Sequence, residues 1–324
     1  MWLRVMILLV GLCFFPLKSF ALSCTVSTAP NVTFTSTVAP FNSTNDTTAI
    51  GVTVNYTCTR GLTVLTGATI CFNIGASANG STPSRQMTSG SAKINYQLYQ
   101  DSGHTTVWGN QDSNANFGPK KVPWDLLSLG ELTGSFTIYA VIPKGQNTAV
   151  PGNYTDNFPP ATASITAVIN PLNLGTGCGS LVVGNFTFAV TATVDKQCQI
   201  TATNTLSLGS VAYTQTNITN NSNFTMACTN GTAYTIGLTP SNGNTAGSGV
   251  MKSTATNSTN PDLVPYQLKS TAGVSGLTWG SASPNLVTGT GTGSSVSQTV
   301  YALVPNVNYR ADTYADTVTI NVTY

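Results

Sequence analysis

Apolar and polar residues alternate with a period of two in several short stretches, most clearly at the end of the chain. Successive side chains of a β-strand point to opposite faces, so this alternation predicts a strand with one buried face and one solvated face. We expect the edge of this final strand to be free to pair with a strand from another chain. Its apolar positions are Val318, Ile320, Val322 and Tyr324.

A similar stretch lies in the first half of the chain, where Ala163, Ile165, Ala167 and Ile169 alternate with other residues. Further motifs recur in the same order in both halves. They are Ile94–Leu98 and Val264–Leu268, Trp108-Gly109 and Trp279-Gly280, Tyr154 and Tyr314, and the cysteines 24 and 58 against 198 and 228. So many collinear matches predict a duplicated domain.

The 324 residues suit two domains of ordinary size. Short alternating segments separated by Gly, Asn, Ser and Pro are typical of all-β sandwiches, and neither half shows a helical pattern. We therefore expect two β-sandwich domains in tandem. The predicted divisions are a signal peptide at 1–21, an N-terminal domain at 22–170, a linker at 171–180 and a C-terminal domain at 181–324.

The signal peptide is predicted from Arg4, the apolar run Val5–Phe15 and the small-residue cleavage pattern Ser19-Phe20-Ala21. The apolar run is shorter than the 20 or so residues that a membrane-spanning helix needs. A lipoprotein acylated at Cys24 is the alternative, but Ala21-Leu22-Ser23 fits that signal poorly. The sequence thus favours an exported protein.

Only 7% of the residues are charged, and 41% are hydrophobic, enough to bury a core. Removing Arg4 and Lys18 with the signal peptide leaves ten basic residues against ten acidic ones. A neutral chain without a basic patch is not expected to bind nucleic acid or anionic lipid.

Six cysteines remain in the mature chain, an even number that suits disulfides in an oxidising compartment. Because two pairs recur in the repeat, we expect Cys24–Cys58 and Cys198–Cys228. Cys71 and Cys178 have no counterparts in the second half and are predicted to pair with each other, although the sequence alone permits other pairings.

The second half resembles the spore coat protein U domain family. The resemblance rests on the Cys198 and Cys228 spacing, Thr229-Asn230-Gly231, Tyr266-Gln267-Leu268, Trp279-Gly280 and the closing segment 314–324, and it extends to the first half. The first half departs from the pattern through its extra cysteines and through extra length near 61–68 and 110–132.

The resemblance implies immunoglobulin-like, pilin-like sandwiches, the C-terminal one lacking its final strand and completed by a donated strand. It implies the tip adhesin of a Csu-type archaic chaperone–usher pilus, carried through the periplasm to the cell surface. Implied partners are a periplasmic pilus chaperone, an outer-membrane usher and an adjacent pilin subunit that donates an N-terminal strand. The residues support this role, because only two residues precede Cys24 in the predicted mature chain and leave no donor strand. The alternative is a structural pilus or coat subunit without a receptor of its own.

Two loops of the first half are the candidate surface-binding sites, expected to contact an abiotic or host surface during attachment and biofilm formation. An exposed apolar loop is costly without a partner. The alternative is that Val64 and Leu65 continue a strand while Trp124 fills the core. The candidate residues are Leu62, Val64, Leu65, Trp124, Leu126 and Leu127.

No enzymatic constellation is evident. His104, the single histidine, lies in a turn-like stretch beside Asp101, and neighbouring turn residues do not make a catalytic triad. Asp125 and Glu131 are the candidates for a glycosidase pair, although solvated loop charges explain them better. We expect no enzyme activity, cofactor or metal site, since no zinc or calcium ligand pattern occurs.

Overall fold

The computed structural model describes residues 22–27, 29–35, 38, 45–60, 67–111, 117–125, 130–170, 177–256 and 258–324. These residues form β-strands and turns, with no helix among them, which confirms the all-β prediction. Accordingly, no helix in the described ranges is long and apolar enough to cross a membrane. The predicted signal peptide, residues 1–21, lies outside the described residues.

The first structural unit contains β1 to β13, and the second contains β14 to β22. The strands of the first unit are β1 (Ser23–Val26), β2 (Val32–Thr33), β3 (Thr47–Thr48), β4 (Val52–Thr59), β5 (Gly67–Ile74), β6 (Arg85–Ser89), β7 (Ala92–Tyr99), β8 (Lys120–Trp124), β9 (Leu132–Ile142), β10 (Gly152–Phe158), β11 (Ala163–Asn170), β12 (Leu181–Asn185) and β13 (Phe188–Val194). The strands of the second unit are β14 (Cys198–Thr203), β15 (Thr216–Cys228), β16 (Ala233–Pro240), β17 (Ser248–Ser253), β18 (Leu263–Lys269), β19 (Val287–Thr290), β20 (Ser295–Asn306), β21 (Tyr314–Ala315) and β22 (Val318–Thr323).

The first unit is a sandwich of two sheets. One sheet has the order β1-β4-β9-β7-β6-β10-β13-β2, with β3 also paired to β9, and the other has the order β12-β11-β5-β8. Alternation along the strands directs apolar side chains from both sheets into one shared core. Its fully buried members include Val54, Ile70, Phe72, Ile138 and Ile165.

The last two strands of the first unit each extend one of its sheets. β12 pairs antiparallel with β11, and the chain then crosses to the other sheet, where β13 pairs antiparallel with all seven residues of β10. The sequence predicts that residues 181–194 belong to the second domain, but their strands pair with β10 and β11 of the first unit. Their inward side chains also lie in its core, namely Phe186, Phe188, Val190, Ala192 and Val194.

The second unit repeats this architecture as far as β11. Its sheets have the orders β14-β15-β20-β18-β17-β21 and β19-β16-β22. β21 and β22 correspond to β10 and β11, and each is the outermost strand of its sheet. Among the described residues, no strand takes the positions in the second unit that β12 and β13 take in the first.

Buried hydrogen bonds confirm the repeat side chain by side chain. The indole Nε1 of Trp108 donates to the carbonyl of Phe72 at 2.9 Å, and that of Trp279 donates to the carbonyl of Ile236 at 3.0 Å. Phe72 of β5 therefore corresponds to Ile236 of β16.

A tyrosine hydroxyl also closes the same corner in each unit. Tyr154 and Tyr314 each donate to the carbonyl four residues earlier, that of Val150 at 2.8 Å and that of Arg310 at 2.9 Å. Tyr154 lies in β10 and Tyr314 in the corresponding strand β21, so the two tyrosines align these strands residue by residue.

Three disulfides link the strands: Cys24–Cys58, Cys71–Cys178 and Cys198–Cys228. The first and third join corresponding strand pairs, β1 with β4 and β14 with β15. The second joins β5 to the segment just before β12, so it ties the entry of β12 to the middle of the first unit.

Candidate strand-accepting groove and distal loops

The apolar row on β22 is the first candidate site. Val318, Ile320 and Val322 face inward and pack against the second core, but each remains partly exposed, and Tyr324 is 52% exposed. β16 pairs with one edge of β22 from Val318 to Thr323, and no described strand pairs with the other edge. The result is an open, apolar groove.

The first unit shows what fills the corresponding space. Ile165 pairs with Phe72 and Val322 pairs with Ile236, the two residues whose carbonyls accept from the repeated tryptophans, so Ile165 and Val322 occupy the same position. By the same alignment Ala163 stands where Ile320 stands, and Ala167 stands where Tyr324 stands. The three first-unit residues are at most 1% exposed. The difference follows from β12 and β13, which cover these positions in the first unit.

The strand beside the groove differs in length between the two units. β10 holds seven residues in regular pairing with β13, whereas β21 has two residues and pairs only with β17. A strand with one neighbour has hydrogen bonds on one edge alone, so fewer residues are held extended. We therefore define the groove as the outer edges of β21 and β22 with the half-buried side chains between them.

The residues that fill the first groove were not identified from the sequence. Phe186, Phe188, Val190, Ala192 and Val194 alternate with polar or small residues, so a period-two signal was present. Burying a Phe or Val side chain contributes about 1.5–3 kcal/mol. Four such side chains thus contribute roughly 6–12 kcal/mol before the entropy of ordering the strand is subtracted.

The second candidate site is one end of the first unit. Ala68 pairs with Trp124 and Cys58 pairs with Leu132, so the four strand ends that these residues mark lie at the same end of the sandwich. β9 runs from this end over eleven residues, roughly 35 Å. Beyond its far end, Asn230 of the second unit donates to the carbonyl of Thr148 at 2.9 Å.

The predicted surface residues Leu62, Val64, Leu65, Leu126 and Leu127 lie outside the described residues. The described strand residues nearest to them, such as Cys58 and Trp124, lie at the end of the first unit opposite Thr148. Trp124 is described, and it corrects one prediction, since its side chain is only 1% exposed and belongs to the core. The guanidinium of Arg60 covers the ring, 4.6 Å from its centroid, so Trp124 is a packing residue rather than a surface contact.

The remaining candidates for chemistry do not assemble into a site. His104 has a left-handed backbone, φ 55°, and its ring packs between Tyr99 and Tyr139. The Asp101 carboxylate accepts backbone hydrogen bonds from Thr105 and Thr106, which lower its pKa to about 2. In the described part of the chain, no group of three His, Cys, Asp or Glu residues is placed to hold a metal ion.

Two tandem sandwiches, the first complete and the second with an open groove, define a two-domain pilin-like protein. The sequence matches the Spore Coat Protein U domain twice, at residues 17–159 and 184–321. The chain belongs to this family. No curated protein matches it.

Three similar solved structures are of bacterial tip or adhesive subunits. A chain of the CsuC–CsuE chaperone–tip adhesion subunit pre-assembly complex of Acinetobacter baumannii is 19% identical, with 93% of this chain and 100% of that chain covered and a TM-score of 0.49. The CupB6 tip adhesin of Pseudomonas aeruginosa is 11% identical, with 94% and 95% covered and a TM-score of 0.39. CfaE, the adhesive subunit of the CFA/I fimbria of enterotoxigenic Escherichia coli, is 12% identical, with 91% and 92% covered and a TM-score of 0.36.

Proposed function

We propose that this protein is the tip subunit and adhesin of a chaperone–usher pilus. In this proposal the second unit anchors the protein to the fibre and the first unit contacts the surface to which the cell attaches. Membership of the spore coat protein U family supports the assignment, and so does the division of the molecule into one complete and one open sandwich.

One observation carries the anchoring role. Ile165 is buried in the first unit, whereas Val322, at the same position of the second unit, is partly exposed. The residues that bury the first-unit position belong to added strands of that unit. An unpaired edge beside an apolar row is the arrangement that binds an extended segment by strand addition. Backbone hydrogen bonds supply affinity, and the alternating apolar side chains of β22 set the register of the bound strand.

The proposed partners are those that the family resemblance implies. A periplasmic pilus chaperone occupies the groove after export, and an outer-membrane usher then exchanges it for the N-terminal strand of the adjacent pilin. The protein reaches the cell surface through the periplasm and stands at the pilus tip. Its own first unit needs no donor because β12 and β13 already complete it.

The adhesive role is assigned to the distal end of the first unit. The strands that precede and follow both candidate segments end here, opposite the loop where Thr148 contacts the second unit. We propose that Leu62, Val64, Leu65, Leu126 and Leu127 contact an abiotic or host surface and support attachment and biofilm formation.

The same structure suggests a different division of the chain. Because residues 181–194 pair with the first unit, we propose that the two domains meet at residues 195–197, between β13 and β14, rather than at 171–180.

A graft tests the groove directly. A copy of residues 168–194, with serine in place of the copied Cys178, is joined after Tyr324, which stands where Ala167 stands in the first unit. If the groove accepts a strand, the graft raises the unfolding temperature of the second unit by at least about 10 °C, since several kcal/mol of burial are regained. A scrambled graft is the control. Equal unfolding temperatures for the two grafts would refute the groove.

A further inference from the structure

A buried aspartate lies beside the filled groove of the first unit. Asp156 is fully buried, and its two carboxylate oxygens accept hydrogen bonds from the hydroxyl of Tyr96 at 2.6 Å and the amide of Asn79 at 3.1 Å. Val190 of β13 stands directly opposite Asp156 in the sheet register. The strand that fills this groove therefore covers a carboxylate.

A buried cation accompanies that carboxylate. Arg85 is fully buried, and its guanidinium donates to the carbonyls of Ile74 at 2.7 Å and Trp108 at 2.9 Å. Its charge interacts with Asp156, and burial lowers its pKa from 12.5 to about 10, which leaves it protonated at neutral pH. A buried carboxylate is tolerated when hydrogen bonds and a nearby positive charge offset its lost hydration.

The second unit keeps the aspartate and loses the arginine. The hydroxyl of Tyr266 donates to the carboxylate of Asp316 at 2.6 Å, which repeats the bond between Tyr96 and Asp156. Across the sheet, however, Gly249 pairs with Tyr266 where an arginine pairs with Tyr96. A Cβ at position 249 would overlap the Tyr266 ring, so a side chain fits there only if that ring moves.

The other cations near this edge are committed elsewhere or face away. The Nε of Arg310 lies 4.0 Å from the Oδ1 of Asp262, and among the described residues this is the one ion pair. Lys252 pairs with Ala315, whose side chain points to the opposite face of the strand from that of Asp316. Within the described ranges, Asp316 thus has a tyrosine donor but no basic partner.

Covering the second groove changes the surroundings of Asp316. This side chain is now partly exposed, and a strand paired with β21 would bury it as β13 buries Asp156. An ionised carboxylate that loses water without gaining a cation is costly. The first unit's own strand, residues 181–194, contains no charged residue, as expected where Arg85 already supplies the cation.

We propose that the strand which fills the second groove carries a lysine or arginine opposite Asp316, so that this aspartate selects for a basic donor strand. The proposal rests on the proposed function, because it requires the groove to be filled by another segment. Opposite charges on directly facing residues of an antiparallel pair attract each other, and like charges repel. Asp316 thereby gives the second groove a preference for a donated strand with a basic residue, which the first groove does not need.

The grafted chain tests this preference. Three versions carry valine, lysine or glutamate at the graft position that copies Val190, the residue facing the aspartate. We expect the lysine version to unfold at a temperature at least about 3 °C above the glutamate version, and we expect Asp316→Asn to remove most of that gap. Two further versions carry lysine or glutamate at the graft position that copies Thr193, whose side chain is exposed. The difference between their unfolding temperatures measures the general effect of charge on the graft.

The outcomes distinguish a failure of the charge preference at Asp316 from a failure of the groove assignment. If the valine graft stabilises the protein but the lysine–glutamate gap is unchanged by Asp316→Asn, the groove stands and the charge preference is overturned. If no graft stabilises the second unit, the groove assignment fails first. A natural donor strand, cross-linked to β21 on assembled pili, that carries a neutral or acidic residue opposite Asp316 would also overturn the proposal.

Discussion

Ile165 and Val322 occupy the same position of the repeat, paired with Phe72 and Ile236 respectively, yet Ile165 is fully buried and Val322 is partly exposed. Both side chains are β-branched and aliphatic, and their strands are aligned, so the difference comes from the surroundings. In the first unit β12 and β13 close the space above Ile165. In the second unit the same space is open.

Charging the groove should block assembly. We expect Ile320→Asp or Val322→Asp to prevent capture by the chaperone and display on the cell surface, because a carboxylate in an apolar row opposes strand addition. Surface labelling of intact cells measures display. Thr319→Asp places the same charge on the exposed face of β22 and serves as the control. Normal display of the Ile320→Asp protein would contradict the groove assignment.

Removing the apolar residues of the distal loops should abolish attachment without affecting display. The variant replaces Leu62, Val64, Leu65, Leu126 and Leu127 by serine, and adhesion to plastic or host cells is measured at matched surface levels. The matched control replaces two exposed apolar residues of the second unit, Val274 and Leu277, by serine. Undiminished adhesion of the loop variant would favour a structural subunit without its own binding role.

Trp124 should affect stability, since its ring lies in the core. We expect Trp124→Ala to lower the free energy of unfolding by about 3–5 kcal/mol, the cost of removing a large buried aromatic side chain. Leu181→Ala, at a site 49% exposed, should change it by less than about 0.5 kcal/mol. Denaturant unfolding measures both free energies. A Trp124→Ala protein as stable as the native chain would show that the Trp124 ring is not packed in the core.

The 101–106 turn should respond to acid at an unusually low pH. Backbone hydrogen bonds from Thr105 and Thr106 lower the pKa of Asp101 from 3.8 to about 2. Because the folded pKa is depressed, the stabilisation is complete above about pH 4 and is lost as the pH falls through about 2. An NMR titration of the Asp101 carboxyl carbon should show a midpoint near 2. A midpoint near 3.8 would mean that these hydrogen bonds do not form in solution.

The sequence was sufficient for the features that depend on local pattern. Alternation at Val318, Ile320 and Val322 predicts a half-buried strand, and recurrence of motifs such as Tyr154 and Tyr314 predicts the duplication. The period of a strand is visible in neighbouring residues, and a duplication is visible when the two halves of the sequence are compared, so neither signal depends on which strands pair.

The sequence was insufficient where the answer depends on distant partners. Alternation from Phe186 to Val194 shows that a strand forms, but not that it pairs with β10 of the preceding unit, since register and neighbour are set by long-range pairing. Trp124 was ambiguous for the same reason. Its burial depends on Arg60 and on the partner strand residue Ala68, neither of which is near it in sequence.

Amide hydrogen–deuterium exchange along β22 measures whether the outer edge of this strand is open and accepts a donated strand. The chain is compared with and without the grafted copy of residues 168–194, and β11 of the first unit, paired on both edges, serves as the protected reference. We predict that the β22 amides directed away from β16 exchange rapidly in the native chain and become protected as β11 is when the graft is present. Rapid exchange of these amides in both proteins would show that β22 does not accept a strand at this edge.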